Sequence, residues 1–478
     1  MRTNRIATAV LGTVVLLALP GGCSGASTCV PGASQPCACT SGASGAQVCR
    51  ADGTFGACTC DAADAGSMDA AMSDAASDAG TVDDSGAVDS GAGDSGAGDS
   101  GASDSGADDS GAIDASRADG GVVPRYVDIS AGADFACVVR REGTVACWGQ
   151  NAWGQLGVGT LGGSYSAPRD VVGVTDAVAI ASGDYSTCVV RRGGGMQCWG
   201  VNSGGMFGFT SSPGHEATPV EVPGAVDARA VAVGESHACF IDGAGVGRCM
   251  GLNTEGQLGD GTRTDSASPV RISGLRDIRQ LTLPGGGTCA RLDSRTYCWG
   301  GNGFGTLGTG DFASVYRPMT TVLGLTDAID VAASRAFGRW VCAVRATGRV
   351  ECWGNNQYGM LLDGMVLDRP TPEEIPGITD AIQVRQGLGH GCVIRRGGGV
   401  SCWGGNWAGQ LGEGTTDRAL VPVSVALGRP VMELALGTTF SCALDGEGVW
   451  CWGDDEVGQL GDGATSTVRS LVPTPVSL

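Results

Sequence analysis

Fourteen cysteines in the last three-quarters of the chain form seven pairs at a regular spacing. The two members of a pair are nine or ten residues apart, and each pair begins about fifty residues after the previous one. A fixed period of this length indicates a repeat architecture, in which each unit buries its apolar face only against its neighbours. The pairs are Cys137 with Cys147, Cys188 with Cys198, Cys239 with Cys249, Cys289 with Cys298, Cys342 with Cys352, Cys392 with Cys402 and Cys442 with Cys451.

The repeat unit has a recurrent order of elements. A short apolar strand follows Thr-Asp-Ala, a second strand carries the first cysteine, a third ends in Cys-Trp-Gly, and a glycine-rich loop leads to a fourth strand. Repeat six shows this order from Thr379-Asp380-Ala381 through Cys402-Trp403-Gly404 to Pro422-Val423. Four short strands per unit are typical of a propeller blade. The sequence therefore predicts an all-β protein with a seven-bladed β-propeller over residues 122–478.

The cysteine spacing fits two neighbouring antiparallel strands. If Cys137 lies opposite Cys147, Val139 faces Val145 and the turn is Arg141-Glu142-Gly143. Opposed residues at a non-hydrogen-bonded site lie about 4.5 Å apart at Cα, a separation that a disulfide tolerates. Each pair is therefore predicted to form a disulfide within its own blade. In the shorter pairs the predicted turns are Asp293-Ser294 and Gly446-Glu447.

The two ends of the repeat region predict how the ring closes. The first repeat begins at Val127-Asp128-Ile129 without a preceding Pro-Val strand, and the last repeat continues to Pro475-Val476-Ser477-Leu478. We expect the C-terminal strand to complete the blade that the N-terminal segment starts, because such a mixed blade removes free sheet edges.

Residues 1–22 have the layout of an export signal. Arg2 and Arg5 precede an apolar run that ends at Leu19, and small residues lead to Cys23. This layout resembles a bacterial lipoprotein signal, although Leu19 lies one residue further from Cys23 than in the usual pattern. The resemblance implies lipidation of Cys23 and a lipid anchor at the outer membrane or cell surface, whereas a periplasmic or simply secreted protein is the alternative. No other stretch of the sequence is apolar and long enough to span a membrane.

Residues 23–60 are predicted to form a small cysteine-rich module. A segment of this length cannot build a sufficient core, so covalent links must hold its structure. Six cysteines allow fifteen connectivities, and the sequence does not choose among them. Zinc ligation by the two Cys-x-Cys pairs is the alternative, but the spacing is unusual for zinc and disulfides persist in exported proteins, so we expect no metal. The six cysteines are Cys29, Cys37, Cys39, Cys49, Cys58 and Cys60.

Residues 61–121 are predicted to be a disordered linker. The segment repeats Asp-Ser-Gly-Ala and carries fifteen aspartates and one arginine, for a net charge of −14 out of −20 for the whole chain. Few apolar residues and strong self-repulsion prevent collapse into a core. The acidity of the protein is therefore a property of this linker and does not identify a partner for the propeller.

The pattern Cys-Trp-Gly-x-Asn-x-x-Gly-Gln-Leu-Gly-x-Gly-Thr resembles the regulator of chromosome condensation repeat over residues 122–478. Met250 replaces the tryptophan in repeat three, and Gly205-Met206-Phe207 and Gly359-Met360-Leu361 replace Gly-Gln-Leu in repeats two and five. The resemblance implies a seven-bladed propeller. Members of the family include exchange factors for small GTPases, an exported bacterial inhibitor of β-lactamases and light-sensing proteins, so the fold alone implies no single activity. Guanine-nucleotide exchange is not expected outside the cytoplasm.

Aromatic and arginine residues are predicted to gather on one rim of the propeller. The loops between third and fourth strands share a face with those between first and second strands, and repeat five carries an insertion in the latter. Both residue types are enriched at binding hot spots. Packing against the adjacent blade is the alternative explanation. The candidate partner-binding residues are Trp153, Phe304, Tyr358 and Trp407 in the first set of loops, and Arg335, Phe337, Arg339 and Trp340 in the insertion.

No catalytic motif stands out in the sequence. The three histidines fall at different positions of different repeats, and the absence of lysine excludes Walker-type phosphate loops, kinase-type sites and Schiff bases. We expect a monomeric, non-catalytic binding module without cofactor, metal or nucleic acid, which binds a protein or glycan at the cell envelope. The alternative is an envelope enzyme acting on polysaccharide, which requires two carboxylates that converge at the centre of the ring or in a cleft.

Overall fold

The computed structural model of the chain describes residues 34–38, 44–48, 50 and 124–478, apart from 211–213, 314–316, 335–337 and 465–467. The chain divides into two compact units, residues 1–101 and 102–478. In the first unit, Ser34–Ala38 pairs antiparallel with Ser44–Val48. The predictions on the export signal, Cys23, the disulfides of the cysteine-rich module and the linker lie outside the described residues.

The described part of the second unit consists of seven four-stranded antiparallel sheets, each built from four strands that are consecutive in the sequence. The first strands are Tyr126–Ala131, Ala177–Ser182, Ala228–Val233, Gln280–Thr282, Ala328–Ala333, Ala381–Gln386 and Val431–Leu436. The second strands are Phe135–Arg140, Ser186–Arg191, His237–Asp242, Gly287–Arg291, Trp340–Arg345, His390–Arg395 and Phe440–Asp445. The predicted seven-bladed propeller is confirmed.

The third and fourth strands complete the sheet of each blade. The third strands are Val145–Gln150, Met196–Val201, Gly247–Gly251, Thr296–Gly300, Val350–Gly354, Val400–Gly404 and Val449–Gly453. The fourth strands are Ser164–Asp170, His215–Glu221, Ser266–Arg271, Arg317–Thr321, Arg369–Glu374, Ala419–Val425 and Ser470–Pro475. A single turn of 3-10 helix, Ser203–Gly205, lies in a loop of blade two.

The disulfides join the second and third strands of each blade, and the predicted pairing is confirmed in all seven. The two cysteines of a pair lie directly opposite each other, with Cα–Cα distances of 4.0 to 4.1 Å. Each bond restricts the unfolded chain and contributes about 2–3 kcal/mol, so the central hairpin of every blade is covalently fixed. The bonds join Cys137 to Cys147, Cys188 to Cys198, Cys239 to Cys249, Cys289 to Cys298, Cys342 to Cys352, Cys392 to Cys402 and Cys442 to Cys451.

The predicted exchange of strands at ring closure is wrong. The first blade is completed by Ser164–Asp170 and the last by Ser470–Pro475, each from its own repeat. The repeats supply seven complete sets of four strands, so no strand remains to be exchanged. The ring closes through contacts between the first and last blades: the indole N–H of Trp148 donates to the carbonyl of Gln459 at 3.0 Å, and the two blades share one apolar cluster.

The same tryptophan bond recurs between neighbouring blades. The buried tryptophan of Cys-Trp-Gly donates its indole N–H to a loop carbonyl of the preceding blade, at 2.8 to 3.0 Å. Met250 cannot donate, so the seam between blades two and three is held by apolar packing that includes Phe207 and Phe240. The bonds are Trp148 to Gln459, Trp199 to Gln155, Trp299 to Gln257, Trp353 to Thr306, Trp403 to Met360 and Trp452 to Gln410.

An asparagine two residues after Cys-Trp-Gly shapes the loop between the third and fourth strands. Its side-chain oxygen accepts the backbone N–H of the residue five positions further on, at 2.9 to 3.1 Å in six blades. In the seventh blade Asp455 accepts the N–H of Leu460 at 3.0 Å in the same way. All seven loops therefore begin with one shape, and their variable residues are presented at equivalent places. The asparagines are Asn151, Asn202, Asn253, Asn302, Asn356 and Asn406.

Candidate binding face

One end of the propeller, which we call the loop face, carries the loops that contain the predicted binding residues. Because adjacent strands are antiparallel, the loops between first and second strands and those between third and fourth strands emerge on the same side. The former loops span 132–134, 183–185, 234–236, 283–286, 334–339, 387–389 and 437–439, and the latter span 151–163, 202–214, 252–265, 301–316, 355–368, 405–418 and 454–469.

Tyr358 and Trp407, from blades five and six, form an aromatic pair on the loop face. Their ring centroids are 5.5 Å apart at an interplanar angle of 45°, and 43% of Trp407 is exposed. Both rings lie over Gly389, where an added Cβ would meet each ring at 3.0 Å. The loop of blade six therefore needs a glycine at this position to let the pair form.

Phe304 and Arg339 form a second contact, between blades four and five. The guanidinium carbon of Arg339 lies 5.3 Å from the centroid of the Phe304 ring, which is the geometry of a cation–π interaction. The backbone of Arg339 has a φ of 49°, in the left-handed region that is uncommon for residues other than glycine. The end of the blade-five insertion is thus held against blade four.

Trp153 belongs to a separate part of the face, at blades one and two. It is 48% exposed, and the edge of its ring meets His215 with centroids 6.1 Å apart. The predicted residues therefore form two groups rather than one continuous patch. One group lies at blades one and two, and the other at blades four to six.

Trp340 does not lie on this surface, and the prediction that it contacts a partner is wrong. It begins the second strand of blade five, is fully buried, and donates its indole N–H to the carbonyl of Gly387 at 3.3 Å. The equivalent positions, two residues before the first cysteine of a blade, hold Phe135 and Phe440, which are also fully buried. The side chain at this position points between blades. An alignment of the repeats on their cysteines places Trp340 at the same position as Phe135 and Phe440, and so could have predicted that it is buried. Arg335 and Phe337 lie outside the described residues.

The central channel has a volume of about 240 Å³ and is lined by the first strands of all seven blades. At one level, side chains of one blade accept a backbone N–H of the next: Asp128 from Ile180, Gln280 from Val331, Asp330 from Val384 and Gln383 from Leu434, at 2.8 to 3.2 Å. Arg385 pairs with both Asp330, at 3.0 Å, and Glu433, at 2.7 Å. The acids that converge on the axis therefore join neighbouring blades.

Burial dominates the electrostatics of this channel. It raises the pKa of Asp128 to about 8, with a further contribution from Glu433, and it also raises the pKa of Glu433. Two histidines between blades are affected in the opposite sense. Burial lowers the pKa of His237 and of His390 to about 3, and their Nε2 atoms lie 2.8 Å from Thr288 Oγ1 and 2.9 Å from Ser441 Oγ. Both histidines are fully buried and contact a hydroxyl group of the next blade.

The channel opens on the loop face through a second cavity of about 170 Å³, which we call the channel mouth. It is lined by Asp134, Asp184, Tyr185, Gln386, Leu388, Leu436 and Thr438, with three glycines and Ala133. Burial, then Asp454 and Glu456, raises the pKa of Asp134. No pattern in the sequence groups these residues, because they come from blades that are far apart in the chain.

Among the described residues, no helix is long and apolar enough to cross a membrane. The same residues contain no group of three or more histidine, cysteine, aspartate or glutamate side chains placed to hold a metal ion. The described part of the second unit is a propeller with one disulfide in each blade and with aromatic residues on its loop face.

Comparison with known proteins identifies the repeat. The profile of the regulator of chromosome condensation (RCC1) repeat matches residues 126–155, 142–190 and 397–444. These matches show that the chain carries RCC1 repeats, and they fall on blades of the seven-bladed propeller. The ultraviolet-B receptor UVR8 of Arabidopsis thaliana is 26% identical over 270 residues, which is 55% of this chain and 61% of that protein. The human E3 ubiquitin-protein ligase HERC2 is 28% identical over 335 residues, 66% of this chain and 7% of that protein.

Solved structures are similar in fold. Yeast RCC1 (Prp20), in its complex with Kap60, superposes with a TM-score of 0.60 at 16% identity and covers 74% of this chain and 85% of that chain. Human WBSCR16 has a TM-score of 0.58 at 20% identity, covering 66% and 85%. The chain spans less than two thirds of the length of the two curated relatives. These likenesses therefore show the repeat and the fold, and they do not transfer an activity.

Proposed function

We propose that this protein is a non-catalytic binding module that presents its loop face to a protein partner at the cell envelope. The observation that carries the proposal is the exposure of aromatic rings on that face. Trp153 and Trp407 are 48% and 43% exposed, whereas the tryptophans of Cys-Trp-Gly are fully or almost fully buried between blades. Partly exposed tryptophan with tyrosine and arginine beside it is the composition of a binding hot spot.

The pairs on the loop face support recognition through preformed geometry. The contact of Tyr358 with Trp407 and that of Arg339 with Phe304 fix the rings before any partner arrives. Rings that are already ordered lose little conformational entropy on binding. A glycan is the other partner class expected from the sequence, but the mixture of arginine and aromatic groups favours a protein surface.

The alternative of a polysaccharide-acting enzyme has less support. Such an enzyme needs two carboxylates free to act as acid and base on either side of a glycosidic bond. On the propeller axis, Asp330 and Glu433 both pair with Arg385, and Asp128 accepts two backbone N–H groups. These carboxylates already serve contacts between blades, in a channel of about 240 Å³.

The test is affinity capture from an envelope extract with the full chain as bait. A variant with Tyr358→Ala and Trp407→Ala removes the aromatic pair of the loop face. Ile382→Ala is the matched control. Ile382 is 46% exposed and lies on blade six, as Trp407 does, but near the end of the blade opposite to the loop face. We expect a protein that the wild type and the control recover and that the double variant loses.

Recovery of the same proteins in the same amounts by all three baits would refute the assignment of the loop face. Folding of each bait is checked beforehand by near-ultraviolet circular dichroism, because the disulfides and buried tryptophans give a native signal. The double variant leaves the fully buried tryptophans unchanged, although Tyr358 is half-buried against the core of blades five and six, so its spectrum should keep the contribution of the buried rings.

The envelope location rests on the proposed anchor at Cys23. We expect the mass of the N-terminal peptide to include a lipid, and Cys23→Ser to release the protein from the membrane fraction. A wild-type protein found wholly in the soluble fraction would exclude anchoring while leaving the binding face untested by that result.

A further inference from the structure

The channel mouth contains a buried polar side chain that has no hydrogen-bond partner among the described residues. Gln386 ends the first strand of blade six, is 6% exposed, and lines both the channel mouth and the central channel. Neither its Oε1 nor its Nε2 makes a hydrogen bond to another residue in the described part of the chain. A buried amide left in this state costs about 1–3 kcal/mol in desolvation, so a polar group placed in the mouth would gain two hydrogen-bonding atoms that the described residues do not use.

The charges around Gln386 determine the sign of that occupant. Asp134 and Asp184 line the mouth, and Asp454 and Glu456 are close enough to raise the pKa of Asp134. Burial, Asp184, Asp134 and Glu235 likewise raise the pKa of Tyr185. The acidic groups therefore repel one another across the mouth, and a positive charge placed among them relieves that repulsion.

The size of the cavity restricts the occupant further. The mouth holds about 170 Å³ and the channel beneath it about 240 Å³, and both are smaller than the 300–1,000 Å³ or so typical of small-molecule sites. A single long side chain fits such a space. The apolar walls at Leu388 and Leu436 suit the aliphatic part of that side chain, and the carboxylates suit its end.

We propose that the channel mouth receives an arginine side chain of the partner protein. The guanidinium donates to Gln386 Oε1 and to the carboxylate of Asp134, because its five N–H groups diverge toward several acceptors at once. A main-chain carbonyl of the same partner segment accepts from Gln386 Nε2. This inference rests on the proposed function, since the partner must first dock on the loop face.

The test measures binding of Nα-acetyl-arginine amide to the full chain by ligand-observed NMR at fixed ionic strength. Asp134→Asn and Gln386→Leu should each raise the Kd at least fivefold. Neither change should unfold the protein, since one removes a carboxylate whose charge is unfavourable and the other replaces an unsatisfied amide by an apolar group of similar size. Glu447→Gln removes one charge from a hairpin turn on the opposite face and should leave the Kd unchanged.

The acidic residues 61–121 are present in every variant, so they contribute an equal background. Nα-acetyl-citrulline amide, which is neutral and similar in shape, should bind at least tenfold more weakly than the arginine probe. Equal Kd values for wild type, Asp134→Asn and Gln386→Leu would overturn the proposal. Equal affinity for Nα-acetyl-lysine amide would overturn its choice of arginine.

The outcome is separable from that of the capture experiment. The double variant Tyr358→Ala, Trp407→Ala should bind the arginine probe as the wild type does. If the probe binds through Gln386 but capture does not depend on the aromatic pair, the proposed binding face fails and the mouth stands. If capture depends on the aromatic pair but binding of the probe does not depend on Gln386, the proposed binding face stands and the proposed arginine site in the channel mouth fails.

Discussion

Asp455 occupies a position that asparagine fills in the other six blades, and Asp455→Asn should stabilise the protein. In blades three, five and six the asparagine donates its Nδ2 to an acidic residue seven positions on, as Asn406 does to Glu413 at 2.6 Å. In blade seven that residue is Asp462, so a carboxylate stands at both positions and the charge of Asp462 acts on Asp455. Burial first, then Asp462 and Asp454, raises the pKa of Asp455 to about 6.

The size of the effect follows from that pKa. A rise of the pKa from 3.8 to about 6 corresponds to a loss of about 3 kcal/mol in the free energy of unfolding once Asp455 is ionised. Solvent near the neighbouring exposed residue Glu456 screens the charges and reduces this loss. Because the native state holds this proton more strongly than the unfolded chain, stability falls as pH rises from about 4 to 6, and the loss is complete above pH 6. Asparagine removes this loss and restores a hydrogen bond. We expect a gain of about 2 kcal/mol at pH 7.5, or about 3 °C in Tm for a domain of about 350 residues.

Thermal unfolding of the full, oxidised chain at pH 7.5 and pH 4 measures this gain. The increase in Tm should be largest at pH 7.5 and should shrink at pH 4, where Asp455 is protonated in the native state. The reverse substitution in blade six, Asn406→Asp, should lower Tm at pH 7.5, since it places a carboxylate beside Glu413 and two carbonyl oxygens. An unchanged Tm for Asp455→Asn at pH 7.5, or an equal gain at both pH values, would refute the reasoning.

Two further predictions concern the contacts between blades. Trp353→Phe removes the indole donor to the Thr306 carbonyl, so the free energy of unfolding in denaturant should fall by about 1–3 kcal/mol; an effect no larger than that of the exposed Trp407→Phe would contradict this role. His390, with a pKa of about 3, stays neutral in the folded protein, whereas in the unfolded chain it binds a proton below about pH 6.5. The free energy of unfolding therefore decreases as the pH is lowered from about 6.5 towards 3. When the pH is lowered from 7 to 5, the free energy of unfolding of His390→Gln should therefore rise by about 2 kcal/mol relative to that of the wild type. A constant difference between the two proteins across that range would contradict this role of His390.

The hairpin in each blade could be predicted from the sequence because it depends on residues close together in the chain. Cysteines nine or ten apart fix the register of the second and third strands, and the turns at 141–143, 293–294 and 446–447 follow from that spacing. The place of the tryptophan between blades also follows, since it recurs at one position of the repeat. Local spacing is sufficient for these features because each is repeated and each is completed within one blade or its neighbour.

The candidate binding residues were harder to predict because exposure depends on the neighbouring blade. Trp340 and Trp407 are the same residue type in one half of the propeller, yet one fills the space between blades and the other lies on the loop face. A composition argument treats them alike. Position relative to the cysteines separates them, and that position acquires its meaning only from the packing of the blades.

The sequence alone determined the number of blades, the order of their strands and the disulfide partners, because a repeat of fixed period specifies local geometry many times over. The tertiary structure decided how the ring closes, which aromatic rings remain exposed, and that Asp134 of blade one and Gln386 of blade six line one cavity. Residues some 250 positions apart meet only when seven blades complete a circle. That meeting is a property of the closed ring, and no periodicity along the chain encodes it.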